Sequence, residues 1–265
     1  MHLSALHLYP VKSCGGLGPL EWTVDRCGLR HDRRWMVVTP DGMMVTQREV
    51  AALALVRARI EPSRLVLEAP GRKPLATPIE PQGGRPQAVV IWEDRVEAWL
   101  PDPAADRWFS EFLGMDVALA FFPDSAMRPV DPDYAPERAL TAFSDGFPFL
   151  LIGEASLSDL NSRLPAPLPM NRFRPNLVVS GSSPFAEDGW RRIGVGGLVF
   201  EVVKPCLRCV VTTTDQETAE RGLEPLRTLA TYRRLGHGVA FGQNLVHRGE
   251  GVLRVGDEVK VLDSR

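Results

Sequence analysis

Short apolar runs, broken again and again by glycine and proline, constrain this chain more than any single motif does. Of its 265 residues, 23 are glycine and 23 are proline, together about 17% against roughly 12% in average sequences. Interruption at that frequency works against long helices and suits short strands joined by turns. Residues 4–9, 35–39, 64–68, 88–92, 96–100, 176–180, 198–203, 210–214 and 259–262 are expected strands. Pro40-Asp41-Gly42 supplies turn chemistry between 35–39 and the returning segment 43–47. Residues 251–259 read as a strand, a turn and a strand. Two helices are expected. One covers 104–113, with Trp108, Phe109 and Phe112 on one face and Gly114 just past its end. The other covers 154–164, where Leu157, Leu160 and Leu164 recur at helical spacing and Ser156 is placed to cap. Residues 122–137, rich in Pro and Asp without period, form a loop. The fold class predicted is mostly β, a β-rich α+β chain, with a soft boundary near residue 120.

Composition narrows the function classes. A net charge of −2 gives no global reason to expect nucleic acid or membrane partners. No apolar run approaches the roughly 18 residues a membrane helix needs, and the first residues do not form a secretory signal. Four cysteines are too few for a disulfide scaffold, so a cytoplasmic location with reduced thiols is expected.

The densest chemistry lies in Cys206-Leu207-Arg208-Cys209, entered from the apolar run 198–203. A thiolate is a soft metal ligand, and Arg208 is a permanently charged forked donor suited to phosphate or an oxyanion. Together they fit an anionic metal cofactor. A structural zinc site, a redox pair and inert thiols remain open on the residues alone. Zinc would need four ligands, and Cys14 and Cys27 form no second close pair. Redox chemistry would prefer a strand–helix setting. Lys12 and Ser13, in a turn with Cys14, Gly15 and Gly16, can hold a phosphate, or be solvated. Arg33 and Arg34 precede a strand and can be surface ion-pairing residues. Arg172 and Arg174 flank Phe173 before Pro175-Asn176 and fit anion or ring recognition. Asp145 can accept from a heterocycle or cap a turn.

Tyr9-Pro10-Val11-Lys12-Ser13-Cys14, Asp32-Arg33-Arg34-Trp35, Val45-Thr46-Gln47-Arg48, Glu154 to Asn161, Phe173-Arg174-Pro175-Asn176, Cys206-Leu207-Arg208-Cys209 and Phe241-Gly242-Gln243-Asn244 follow one another in that order. In this register the chain, from about residue 3 to 262, resembles MOSC-domain proteins with an N-terminal β-barrel extension. The amidoxime-reducing components and bacterial hydroxylaminopurine-detoxifying enzymes are of this kind. The resemblance implies a MOSC N-terminal β-barrel domain over residues 1–120, packed on a MOSC β-barrel over 121–265. It also implies a molybdenum–molybdopterin cofactor in the cleft between them. By the same resemblance Cys209 is the metal ligand, with Cys206 a neighbour that shapes the turn. Lys12, Ser13, Arg33, Asp145, Arg174, Asn176 and Arg208 contact phosphate and pterin, and Cys209 and Asp145 belong to the catalytic centre. Leu207 departs from the small or polar residue common there.

The reaction implied is two-electron reduction of N-hydroxylated compounds: amidoximes, hydroxylamines or N-hydroxylated bases. No cysteine follows Cys209, so electrons are expected from a separate flavin, haem or iron–sulfur protein. The N-terminal apolar anchor of animal relatives is not expected here. The alternative is a carrier or sulfur-transfer protein, as in cofactor sulfurases, whose pyridoxal-phosphate domain this sequence does not contain.

Overall fold

A computed structural model describes residues 1–135 and 139–265. Its largest element is an eight-stranded sheet. Its main path runs His2–Leu6, Leu177–Ser180, Phe149–Gly153, Gly238–Arg248, Leu198–Leu207, Trp190–Val195, Val259–Ser264, and the short strand Arg234–Leu235 pairs with Gly238–Arg248. The two ends of this path meet: Leu3 N donates to Asp257 O and Val259 N to Met1 O, each at 2.9 Å, so the sheet curls on itself. Leu3, Leu6, Phe149, Leu151, Leu177, Ile193, Phe200 and Leu245 fill its interior. On Phe149–Gly153 the alternate residues Leu150 and Ile152 face a second core with Leu160, Phe173 and Phe241, so both faces are covered there.

A four-stranded sheet (Arg85–Ile91, Asp94–Leu100, Ala118–Phe121, Trp35–Val38) and a three-stranded one (Arg57–Glu61, Arg64–Glu68, Leu75–Pro78) build the remaining body of the first half. Between them lies the helix Pro103–Leu113, capped at Asp102, whose side chain accepts from Ala104 N at 2.9 Å, and ended by Gly114 at φ 66°. Trp108 and Phe109 on its inner face are buried against Val37, Leu65 and Leu119, each contributing about 2–3 kcal/mol of apolar burial. A third small sheet joins Glu21–Asp25 to Gly28–Leu29 and to Gly251–Arg254 from the far end of the chain.

Several expectations are corrected. Residues 210–214 are not a strand: Val210–Thr213 is one 3-10 turn, because Arg172 and Thr212 hydrogen-bond into that backbone. The strand expected at 198–203 continues to Leu207, so Cys206 lies on a strand end and not in a turn. Ser156 does not cap its helix, Glu154–Ser162; it donates instead to buried Glu187 at 2.7 Å. The 43–47 return forms isolated bridges only. The long strand Gly238–Arg248 and the helix Leu226–Tyr232 lacked a clear period in the sequence. The expected loop 122–137 is irregular through residue 135, and its last two positions lie outside the described residues. Among the described residues no helix is long and apolar enough to cross a membrane.

Candidate functional site

The loop from Tyr9 to Gly16 is fixed by backbone bonds to the strand entry at Arg33–Trp35: Arg33 N donates to Tyr9 O at 2.8 Å and Lys12 N to Trp35 O at 2.7 Å. Ser13, Arg33 and Arg174 all adopt left-handed φ, at 66°, 48° and 55°. That region disfavours side chains other than glycine, asparagine and aspartate and costs on the order of 1–3 kcal/mol per residue. All three side chains line one cleft, so the strain is concentrated where the loops present functional groups.

Beneath the cleft floor lies a buried polar node. Asp32, 5% exposed, accepts from Tyr9 N at 2.7 Å and Asn176 Nδ2 at 3.1 Å, and pairs with Arg33 Nη1. Burial raises its pKa against the pull of Arg33 and these donors. Asn176 Oδ1 accepts in turn from Arg33 at 3.1 Å and Leu150 N at 3.2 Å. The Tyr9 ring has the Arg33 and Arg174 guanidinium carbons 4.3 and 4.2 Å from its centroid, a cation–π arrangement that holds both near the ring. Burial pushes the Tyr9 phenol up to about 12, so it stays protonated and donates to Pro175 O.

Lys12, 4% exposed, bonds Phe143 O at 2.9 Å and Asp145 Oδ1 at 2.5 Å. Desolvation lowers its pKa, opposed by the Asp145 charge. The loop that carries Asp145 is also held from beneath: buried Arg128 donates to Ala142 O, Ser144 O and Asp145 O at 2.9, 2.6 and 3.2 Å, and pairs with Asp94.

The strand Leu198–Leu207 brings Cys206 to the opposite wall. Arg208 Nη1 lies 2.9 Å from Cys206 Sγ and Nη2 donates to Phe173 O at 2.6 Å, while its Nε is buried without a partner. Burial raises the Cys206 thiol, against the Arg208 charge. Cys209 heads the 3-10 turn, and its carbonyl accepts from Thr212 N and Oγ1 at 3.1 and 2.9 Å. Arg172 does not enter the cleft; it donates to Thr212 O and Thr213 O at 3.0 and 2.8 Å and pairs with Asp215. Its place as a ring- or anion-recognising residue is therefore corrected to a clamp on the turn behind Cys209.

All eight site residues named from the sequence (Lys12, Ser13, Arg33, Asp145, Arg174, Asn176, Arg208 and Cys209) line one cleft. Arg48, Trp92, Thr46 and Asn244 line it too. The first, third and fourth stand in segments the sequence singled out without a role. Trp92, a bulky residue in a two-residue hairpin tip, was the available signal for itself. Five cations, Lys12, Arg33, Arg48, Arg174 and Arg208, face a single carboxylate, Asp145, although the whole chain carries −2. Cation excess, an orphaned buried guanidinium N–H and a thiol without a side-chain hydrogen bond fit an anionic, thiolate-ligated group. A zinc cluster finds no such support: among the described residues no three His, Cys, Asp or Glu side chains converge to hold a metal.

Fold and cleft together describe a class: β-barrel proteins whose cleft gathers a cysteine and several cationic side chains. The MOSC N-terminal beta barrel domain matches residues 1–116 and the MOSC domain matches residues 140–260. The mouse protein named mitochondrial amidoxime-reducing component 1 is 36% identical, over 98% of this chain and 82% of its own length; rat mitochondrial amidoxime reducing component 2 is also 36% identical, over 97% and 82%. A rice molybdenum cofactor sulfurase is 34% identical over 91% of this chain, which spans 32% of that longer protein. The chain belongs to the MOSC family and carries the MOSC N-terminal beta barrel domain.

Proposed function

We propose that this chain is a molybdenum-cofactor-dependent reductase of N-hydroxylated small molecules. The observation that carries the reading is the cation-lined cleft that Cys209 shares with Lys12, Arg33, Arg174 and Arg208. Similarity to amidoxime-reducing components over nearly the whole chain supports it. When bound, a molybdenum–pterin group would supply the two-electron removal of oxygen from an N–OH function.

The chain's own residues do the rest. Cys209 Sγ would hold the metal. Lys12, Ser13, Arg33, Arg174 and Arg208 would take the phosphate and the pterin's acceptor atoms, with Arg33 and Arg174 held near the Tyr9 ring and Arg33 bonded to the Asp32–Asn176 node. Asp145, ionised and at the mouth, would accept from pterin or substrate N–H groups, and the Lys12 ammonium beside it would carry a transferable proton at Nζ. Electrons would come from a separate protein.

A second reading, a cofactor carrier, is favoured by the match to molybdenum cofactor sulfurases over 91% of this chain. The test is molybdenum and pterin content, and benzamidoxime reduction with an artificial reductant, in parent and Cys209→Ser protein. One molybdenum per chain with turnover, both lost in the variant, is expected. Full loading without turnover would replace the reductase with the carrier, and absence of both from folded parent protein would overturn the cofactor reading.

A further inference from the structure

Of the five cations in the cleft, four are already engaged. Lys12 holds Asp145 and Phe143 O, and Arg33 holds Asp32 and Asn176. Arg174 donates to Cys14 O at 2.7 Å, and Arg208 to Phe173 O. Arg48 differs. Among the described residues its guanidinium makes no side-chain hydrogen bond and no ion pair; its contact is the face of Trp92, 4.0 Å from the ring centroid. Both residues line the cleft, and Arg48 is close enough to Asp145 to depress that carboxyl without bonding it.

The setting of this pair is built. Trp92 occupies the first position of the two-residue turn between Ile91 and Asp94, at φ 55°, a conformation that turns of this kind normally give to glycine or asparagine. A tryptophan there is strained, and 36% of it remains exposed. On the other side, the Arg48 and Gln47 carbonyls both accept from Arg221 Nη2, which ties the Val45–Arg48 segment to the second half of the chain. A cation pinned by its backbone, held 4.0 Å from an aromatic centroid and, among the described residues, with no hydrogen-bond partner on its guanidinium is preorganised to meet an anion. A flat guanidinium offers two parallel N–H groups to a carboxylate or phosphate.

We infer that Arg48, propped on Trp92, is the residue that receives an anionic oxygen substituent of the substrate, so that carboxylated or phosphorylated N-hydroxylated compounds are preferred over neutral ones. The N-hydroxylated part of this description rests on the proposed function; the anion contact does not. A cofactor phosphate has the same chemistry, but the mouth position, beside 68%-exposed Asp145, places Arg48 where incoming ligand passes.

The test compares 4-carboxybenzamidoxime with benzamidoxime in parent, Arg48→Met and Arg48→Lys proteins. Dissociation constants are read from tryptophan fluorescence, and kcat/KM where turnover occurs. The carboxylated-to-neutral preference is expected to fall at least tenfold in Arg48→Met, the scale of one bidentate charge-assisted pair, and to recover in part in Arg48→Lys. Molybdenum content should stay at the parent level. An unchanged preference overturns the inference, and so does a loss of molybdenum or pterin in Arg48→Met, which would assign Arg48 to the cofactor's phosphate. Because fluorescence reports binding without turnover, a parent that binds but does not reduce either compound would sink the reductase reading and still decide the role of Arg48.

Discussion

The Lys12 ammonium lies 2.5 Å from Asp145 Oδ1 across 133 positions of sequence, and the pair is lopsided: the lysine side chain is 6% exposed and the aspartate 68%. A buried cation therefore reaches outward to a carboxylate at the cleft mouth. Crowding by protein works to raise the Asp145 carboxyl. The Lys12 charge and hydrogen bond, with Arg48 and Arg33 behind them, outweigh it and hold the group well below the usual carboxylate range.

Replacing Lys12 with Met should shift the Asp145 titration upward, read by carboxyl-carbon NMR in cofactor-free protein. Since the folded carboxyl ionises below its unfolded value of 3.8, the unfolded chain takes up the proton first on acidification. The pair's stabilisation is then complete above about pH 4 and disappears below it. An unmoved Asp145 titration in Lys12→Met would show that Lys12 does not control it.

Arg172→Met should lower stability by about 1–3 kcal/mol, because buried Thr212 O loses its Arg172 donor and Thr213 O keeps only Gly222 N. Loosening should be local. Amide exchange is expected to accelerate at Thr212, Thr214 and Gly222, whose N–H groups bond within or onto this turn. Uniform protection there, with stability unchanged, would remove Arg172 from its role as clamp behind Cys209.

Acid sensitivity should arise at His31. Burial, opposed by Glu80 3.8 Å away, depresses this imidazole to about 4 from 6.5. Between those values the unfolded chain binds a proton that the folded chain refuses, so stability drops as pH falls from 6.5 to 4, by at most about 3 kcal/mol. His31→Asn should flatten that slope, since asparagine tolerates the local φ of 68° and does not titrate. Urea midpoints at pH 7 and 4.5 for both proteins check it; parallel slopes would discount His31.

Gly242→Ala should destabilise by about 2–4 kcal/mol. At φ 81° an added methyl would sit 2.7 Å from Ile152 Cγ1 and 2.8 Å from Leu151 O, where backbone cannot yield. The same strand carries Asn244 into the cleft, so under the proposed function weaker cofactor retention accompanies the loss. A wild-type urea midpoint would contradict this packing account.

Much of this was legible in the sequence for identifiable reasons. The helix Pro103–Leu113 was marked by an apolar face and, past its end, by Gly114. The strands at 64–68 and 96–100 showed as short apolar runs between turns. Motif order gathered Lys12, Arg33, Arg174 and Cys209 into one site that local periodicity would never have joined. What stayed hidden depended on partners distant in sequence. Thr212 and Thr213, β-branched, favoured a strand until Arg172 captured their carbonyls. Ser156 had a capping position but found Glu187. Arg128 gave no signal, because its value lies in three carbonyls that sequence does not show to converge. The role of Arg172 was masked by its neighbour Arg174, two positions away yet aimed into the cleft.

The pairing of His2–Leu6 with Leu177–Ser180, and of Glu21–Asp25 with Gly251–Arg254, bears on how the molecule is made. As the chain leaves the ribosome, the strand His2–Leu6 has no partner until Leu177–Ser180 follows, and the third sheet cannot close until Gly251–Arg254 does. Such non-local closures are slow relative to local ones. Lys12 and Arg33 are therefore synthesised long before Arg174 and Cys209 can meet them, and a ligand-competent cleft is among the last features to appear at birth.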